Sequence, residues 1–390
     1  MKSGLSIAVF CVAGITAPGT ARTQSASAAG IAQYYTVGPD DQVAAFSSAA
    51  AANPSHRIQR SRHPRPLPRA NRMSDHALTW QNTSYSNIAA LMTAARITGA
   101  VVLKDGEIVY ENYALGRRRS DQWLSFSVAK SVTSLLAGAA VQDGKIGSLN
   151  DRVVAYLPEL RGSAYDAVTV RQLLSMTSGV KWSEAYGDPQ SDVVKIKQWR
   201  GDPGMPPVVS YMRRLPRVAP PGQVFAYKTG ETDLAGALIS RAVGMNLADY
   251  LSRKIWGPYG MEGEAAWLTD GGSLERGGCC LNMLLRDYAR LGQFVLDGGR
   301  AGGRQVIAPG YLAASTTNQL PGADDHRYGY FWWVHPDGSY SAQGIFGQLI
   351  RISPRHRLVV AINSAWWPDP VDPKGVEAWE AIFAAFAPPN

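Results

Sequence analysis

Apolar and polar residues alternate from Thr98 to Tyr113, interrupted at Asp105-Gly106, a pair suited to a tight turn. The alternation predicts a hairpin of Ala100-Val101-Val102-Leu103 against Ile108-Val109-Tyr110. From Ser127 the period lengthens: Val128, Val132, Leu135, Leu136 and Ala139 fall three or four apart, which predicts a helix ended by Gly144. Further helices fit Val170–Met176, Thr232–Val243 and Leu284–Leu296, the last stopped by Gly298-Gly299. Branched and aromatic residues then dominate Tyr328–Val334, Tyr340–Ile345, Leu349–Ile352 and Leu358–Ile362, the composition of strands. Strands near both ends with helices between predict an α/β fold: an antiparallel sheet built from both termini, flanked by helices, with a mostly helical lobe inserted at roughly 145–285.

Composition changes this picture at the amino end. The chain has 390 residues, 45% hydrophobic and 18% charged, which supports a sizeable core and excludes collagen, coiled coil and a disordered chain. Of the net charge of +8, six arginines fall in 53–72 without an acid, and residues 73–390 carry only about +2. The charge therefore marks no nucleic-acid partner. With Pro64, Pro66 and Pro68 interleaved, that stretch reads as an extended, solvated tether, and residues 29–85 as an Ala/Pro/Arg-rich extension ahead of a domain spanning 86–390. Lys2, the apolar run Leu5–Ala17 and Ala26-Ser27-Ala28 form an export signal over 1–28. Thirteen apolar residues are too few to span a bilayer, and no later run is longer, so the expected location is periplasmic or secreted, without a transmembrane span. Cys11 leaves with the signal. Adjacent Cys279 and Cys280 are expected to pair poorly and to act as small buried residues. No ligand spacing for a metal appears, so neither metal nor cofactor is expected.

The chemistry-bearing pattern is Ser-x-x-Lys, present at Ser127-Val-Ala-Lys130 and at Ser178-Gly-Val-Lys181, where about one chance match is expected in a chain of this length. Context separates the two. Ser127 opens a predicted helix, so Lys130 shares its face and the free amides of the helix start lie beside any charge that develops. Ser178 follows a helix in a turn. No G-x-S-x-G elbow and no phosphate-binding loop compete.

Around Ser127 the chain reads Ser125-Phe-Ser-Val-Ala-Lys-Ser131, followed by Val168-Thr-Val-Arg-Gln-Leu-Leu-Ser-Met-Thr-Ser-Gly-Val180, Pro220-Pro-Gly-Gln-Val-Phe-Ala-Tyr-Lys-Thr-Gly-Glu-Thr-Asp-Leu234 and Leu285-Arg-Asp-Tyr-Ala-Arg-Leu-Gly-Gln293. Together these resemble the serine β-lactamase and penicillin-recognising (transpeptidase-like) fold across most of 86–390. Glu184-Ala-Tyr-Gly-Asp-Pro-Gln-Ser-Asp192, Gly344-Ile-Phe-Gly-Gln348 and Trp366-Trp-Pro-Asp369 are most similar to the aminohexanoate-dimer (nylon-oligomer) hydrolases, relatives of class C β-lactamases and of esterases sharing their fold. The resemblance implies Ser127 as nucleophile, Lys130 as its proton partner and Tyr227 as third catalytic group. It further implies backbone oxyanion donors at Ser127 and Ile345, and substrate contacts at Tyr186, Gln343 and Gly344. Two departures stand out. Thr229 occupies a position where the fold usually has asparagine, and Glu231 one where nylon-oligomer enzymes do. Lys228-Thr229-Gly230 spells the penicillin-recognising triad in the wrong place, beside Tyr227, while the late strand carries Ala342-Gln343-Gly344 without the lysine that would hold a β-lactam carboxylate. The implied activity is hydrolysis of a small-molecule ester, or an amide of the linear-oligomer kind. A cell-wall enzyme (β-lactamase, D-aminopeptidase or transpeptidase) and a catalytically silent binding protein remain as alternatives.

Overall fold

In the computed structural model, residues 31–71, 73–270, 274–320 and 327–387 are described. The expected export signal lies outside them. Among them no helix is long and apolar enough to cross a membrane.

The main sheet has six antiparallel strands in the order Trp333–Val334, Tyr340–Gly344, Gln348–Ser353, Leu358–Ser364, Ile97–Lys104 and Glu107–Tyr113. Strands from both ends of the domain thus meet where Leu358–Ser364 pairs with Ile97–Lys104. The hairpin turns at Asp105 (φ 52°) and Gly106 (φ 83°), as its residue types require. Alternation along the central strands sorts the core. Val101, Leu103, Val359 and Ala361 face the helical side, while Ala100, Val102, Val360 and Ile362 face a second cluster closed by Ile88–Ala94 and the carboxyl-terminal helix Pro373–Phe386. The lobe between is mainly helical and surrounds Val128–Gln142, whose residues 128–140 are all buried.

Three expectations need correction. First, Tyr328–Val334 is a strand only at Trp333–Val334, because Phe331 adopts φ 61° and bends the chain before it. Secondly, there is a further antiparallel sheet of four strands, in the order Ser55–Ile58, Ala265–Leu268, Leu281–Leu284 and Gln122–Leu124. Its strands are three or four residues long, too short to show a period.

Thirdly, the supposed extension, its arginine-rich stretch included, is built into the fold. Ile58 is fully buried, and Phe46 packs edge-on against Trp123 and Phe126 at 5.6 and 5.2 Å between ring centres. Three of the six arginines find acids far away in sequence: Arg57 pairs with Glu264, Arg69 with Glu111, and Arg65 with Asp297 at 2.8 Å. Local composition shows the cations and not the distant carboxylates that receive them. Phe46→Ala is expected to destabilise the protein by about 3–5 kcal/mol through loss of buried contacts and the cavity left behind, seen as a lower denaturant midpoint. A solvated extension would give no shift.

Candidate active site

Ser127 sits where the strand Gln122–Leu124 turns into the helix Val128–Gln142. The junction is pinned to Leu281: the Ser125 amide donates to the Leu281 carbonyl at 2.7 Å, and the Ser125 hydroxyl accepts from the Leu281 amide at 2.8 Å. Phe126, between them, adopts φ 44°, a conformation that costs a non-glycine residue energy and that recurs at functional sites. The Ser127 hydroxyl caps nothing. It accepts a hydrogen bond from Lys130 Nζ at 3.0 Å.

Lys130 is 1% exposed, and its amine also donates to Thr229 Oγ1 at 3.0 Å and to the Gly278 carbonyl at 2.8 Å. These are three acceptors for the three donors of an ammonium. Burial pushes this amine down to about 8, against the opposing pull of Glu184 and Asp233. Once neutral, it keeps two N–H groups for Thr229 and Gly278 and turns its lone pair towards Ser127.

Tyr227 lies just before the helix Thr229–Val243, stacked on Trp333 at 5.7 Å, with the Lys130 amine 5.1 Å from its ring centre. Burial first, and then Glu184, raise its phenol above the ordinary range, while a hydrogen bond with Ser127 lowers it. The phenol therefore stays protonated where the lysine has begun to lose its proton.

The strand Tyr340–Gly344 ends against this junction. A Cβ on Gly344 would stand 2.6 Å from the Ser125 carbonyl and 3.0 Å from the Ser127 amide, so only glycine allows this approach. Neither the Ser127 nor the Ile345 amide has a backbone acceptor among the described residues. A cavity of about 230 Å³ opens beside Ser127, bordered by Tyr186, Tyr227, Gln343, Gly344 and Ile345. The sequence-derived residues thus converge. Trp366 both walls this cavity and packs on Trp379, whereas Trp367 is 40% exposed.

Other residues were not legible. Glu184 gathers four donors: Trp182 Nε1, the Tyr186 hydroxyl at 2.7 Å, and the Thr229 amide and hydroxyl. A hydroxyl thus relays the carboxylate to Lys130, and Thr229 becomes a site residue although the triad it spells is not one. Lys228 turns into the lobe core, 3.6 Å from Glu231. Tyr35, from the supposed extension, packs on Tyr186 at 5.4 Å, with nothing in its local sequence to announce it.

The second Ser-x-x-Lys separates in space. Ser178 is fully buried and donates to Glu231, while Lys181 is exposed. Arg286 grips Glu111 through two bonds of 2.6 and 2.7 Å, and Asp287 receives Arg290 at 3.1 Å. Cys279 and Cys280 adjoin across a cis peptide, and Cys280 is fully buried.

Comparison with known proteins bears on this geometry. The family model described as Beta-lactamase matches residues 86–384. The 6-aminohexanoate-dimer hydrolase of Paenarthrobacter ureafaciens is 31% identical over 291 residues, covering 69% of this chain and 72% of that protein. Two solved structures share the fold. A Bacillus anthracis protein carrying a provisional 6-aminohexanoate-dimer hydrolase assignment has TM-score 0.78 at 22% identity, over 88% of this chain and 93% of that one. A family VIII carboxylesterase has TM-score 0.60 at 18% identity, over 76% and 95%.

Ser178→Ala is expected to leave the buried Glu231 short of a donor and to lower stability by about 1–3 kcal/mol, while Ser127 keeps its reactivity. Denaturant melts and serine labelling of the same sample read the two effects separately.

Proposed function

This chain belongs to the Beta-lactamase family, and on that premise we propose that it is an exported serine hydrolase that cleaves small esters, or linear amides of the aminohexanoate-oligomer kind, through an acyl-enzyme on Ser127. The observation that carries the reading is the Ser127–Lys130 contact of 3.0 Å at the rim of an aromatic cavity, with the Lys130 ammonium already made readier to lose its proton by burial.

In the proposed acylation Ser127 Oγ attacks the carbonyl carbon as its proton passes to neutral Lys130 Nζ. The Ser127 and Ile345 amides receive the charge on the carbonyl oxygen. Tyr227, still protonated, gives its proton to the departing alkoxide or amine and is reprotonated from Lys130. A water then attacks the acyl carbon and gives its proton to the same relay, which releases the acid and restores the serine. Esters come first because their leaving group needs less help than an amine. The late strand carries Ala342-Gln343-Gly344, with Ala342 where a β-lactam carboxylate would require a lysine, which favours this reading over a penicillin-cleaving one.

A fluorophosphonate is expected to add to Ser127 in intact-protein mass spectrometry, and para-nitrophenyl butyrate to turn over. Ser127→Ala should abolish both, and an adduct elsewhere would sink the assignment. The ester rate should rise with pH through a midpoint near 8 and level off above it, because the amine must be neutral to accept the proton. Glu184 stabilises the ammonium, so Glu184→Gln should lower the amine further and shift this limb to lower pH; a shift to higher pH would contradict Lys130 as the base.

A further inference from the structure

Ser127 borders two cavities of different size. The larger, about 230 Å³, borders Tyr227 and is walled by Trp333, Trp366 and Trp379. The smaller, about 20 Å³, lies between Ser127, Ile345, Tyr35, Tyr186 and Lys197 and does not reach Tyr227. Tyr227 is the proposed proton donor to the leaving group, so the leaving group belongs in the larger cavity and the acyl arm in the smaller. At about 20 Å³ the space is that of about one water, which seats one oxygen of an end group and nothing longer.

The charged groups lining these cavities differ in what they still lack. Glu184 has four donors, and Asp233 accepts the Gly278 amide at 2.7 Å with Arg276 as its opposing charge. Lys197 is different. Its amine donates to the Tyr35 hydroxyl at 2.7 Å and lies 3.9 Å from the centre of that ring. No carboxylate among the described residues comes within ion-pairing distance; Glu184 and Asp233 act on it only from farther off. An ammonium has three donors, so two have no protein acceptor among the described residues. Val193 and Ile196, buried on the same short helix, fix the rotation that points Lys197 inward. Burial, followed by the nearby Arg276, pushes the amine down to about 7, so that an anion entering the cavity would restore its full charge.

We propose that Lys197 is the receptor for an anionic end group on the acyl arm, so that among the esters and amides cleaved, those of short carboxylate-terminated acids are preferred over those whose acyl arm ends in an amine, as in an aminohexanoate oligomer. The proposal rests on Ser127 being the nucleophile and specifies which substrates that nucleophile prefers.

The test compares para-nitrophenyl hemisuccinate and hemiglutarate with the same esters capped as methyl esters. The full-length protein should favour the free carboxylates by about tenfold or more in kcat/KM, the scale of one charge-assisted contact. Lys197→Met should bring that ratio close to one, and Lys197→Arg should keep most of it. Free glutarate should slow fluorophosphonate labelling of unmodified protein where glutaramide does not, a reading that needs no variant. A ratio near one in the unmodified protein, or one unchanged by Lys197→Met, overturns the proposal while the neutral esters still turn over. Loss of every ester activity together with the Ser127 adduct, in folded unmodified protein, would overturn the nucleophile assignment and the proposal with it.

Discussion

A single buried amine organises this molecule. Lys130 reaches Ser127 on its own helix, Thr229 on the helix after Tyr227, and the Gly278 carbonyl in the loop before the strand Leu281–Leu284. Leaving a charge without partners in such a place would cost several kcal/mol, so the three elements are held in one arrangement by the need to satisfy it. The same burial makes the amine useful. In water it would hold its proton far above neutral pH, whereas here it is poised to exchange one with the serine beside it.

Around that amine the groups are graded by what they already possess. The phenol of Tyr227 is raised and keeps its proton, the carboxylate of Glu184 has its oxygens filled, and the Ser127 and Ile345 amides have no backbone acceptor among the described residues. A proton acceptor, a proton donor and two bare amides around one hydroxyl form a site in which charge can develop on a bound carbonyl without solvent having to rearrange.

The support for this site comes from a part of the chain with little periodicity. Phe46 and Phe346 press on Phe126, the strained residue before Ser127, with ring centres 5.2 and 5.1 Å from it. Phe346 itself adopts φ 59° immediately after Ile345, so both residues carrying a bare amide adjoin a left-handed phenylalanine in one aromatic cluster. Packing from an amino-terminal segment thus holds the geometry of a centre assembled from residues about a hundred positions later in the sequence and from others near the carboxyl end.

The long elements and the nucleophile could be read from the sequence because their signals are local. A hairpin shows as alternation around Asp105-Gly106, a helix as apolar residues three or four apart, and a serine with its lysine three places on as a shared helical face. The resemblance added Tyr227, Tyr186, Gln343, Gly344 and Ile345, all of which border the cavity beside Ser127. What depended on partners distant in the chain could be decided only by the tertiary structure: that the arginine-rich segment is paired and packed, that Thr229 and Glu184 join Lys130 while Lys228 and Ser178 turn inward to Glu231, and that Tyr35 and Lys197 meet beside Ser127. A charge, a hydroxyl or a ring has the same sequence signature whether it meets water or a partner two hundred residues away, and only folding distinguishes the two.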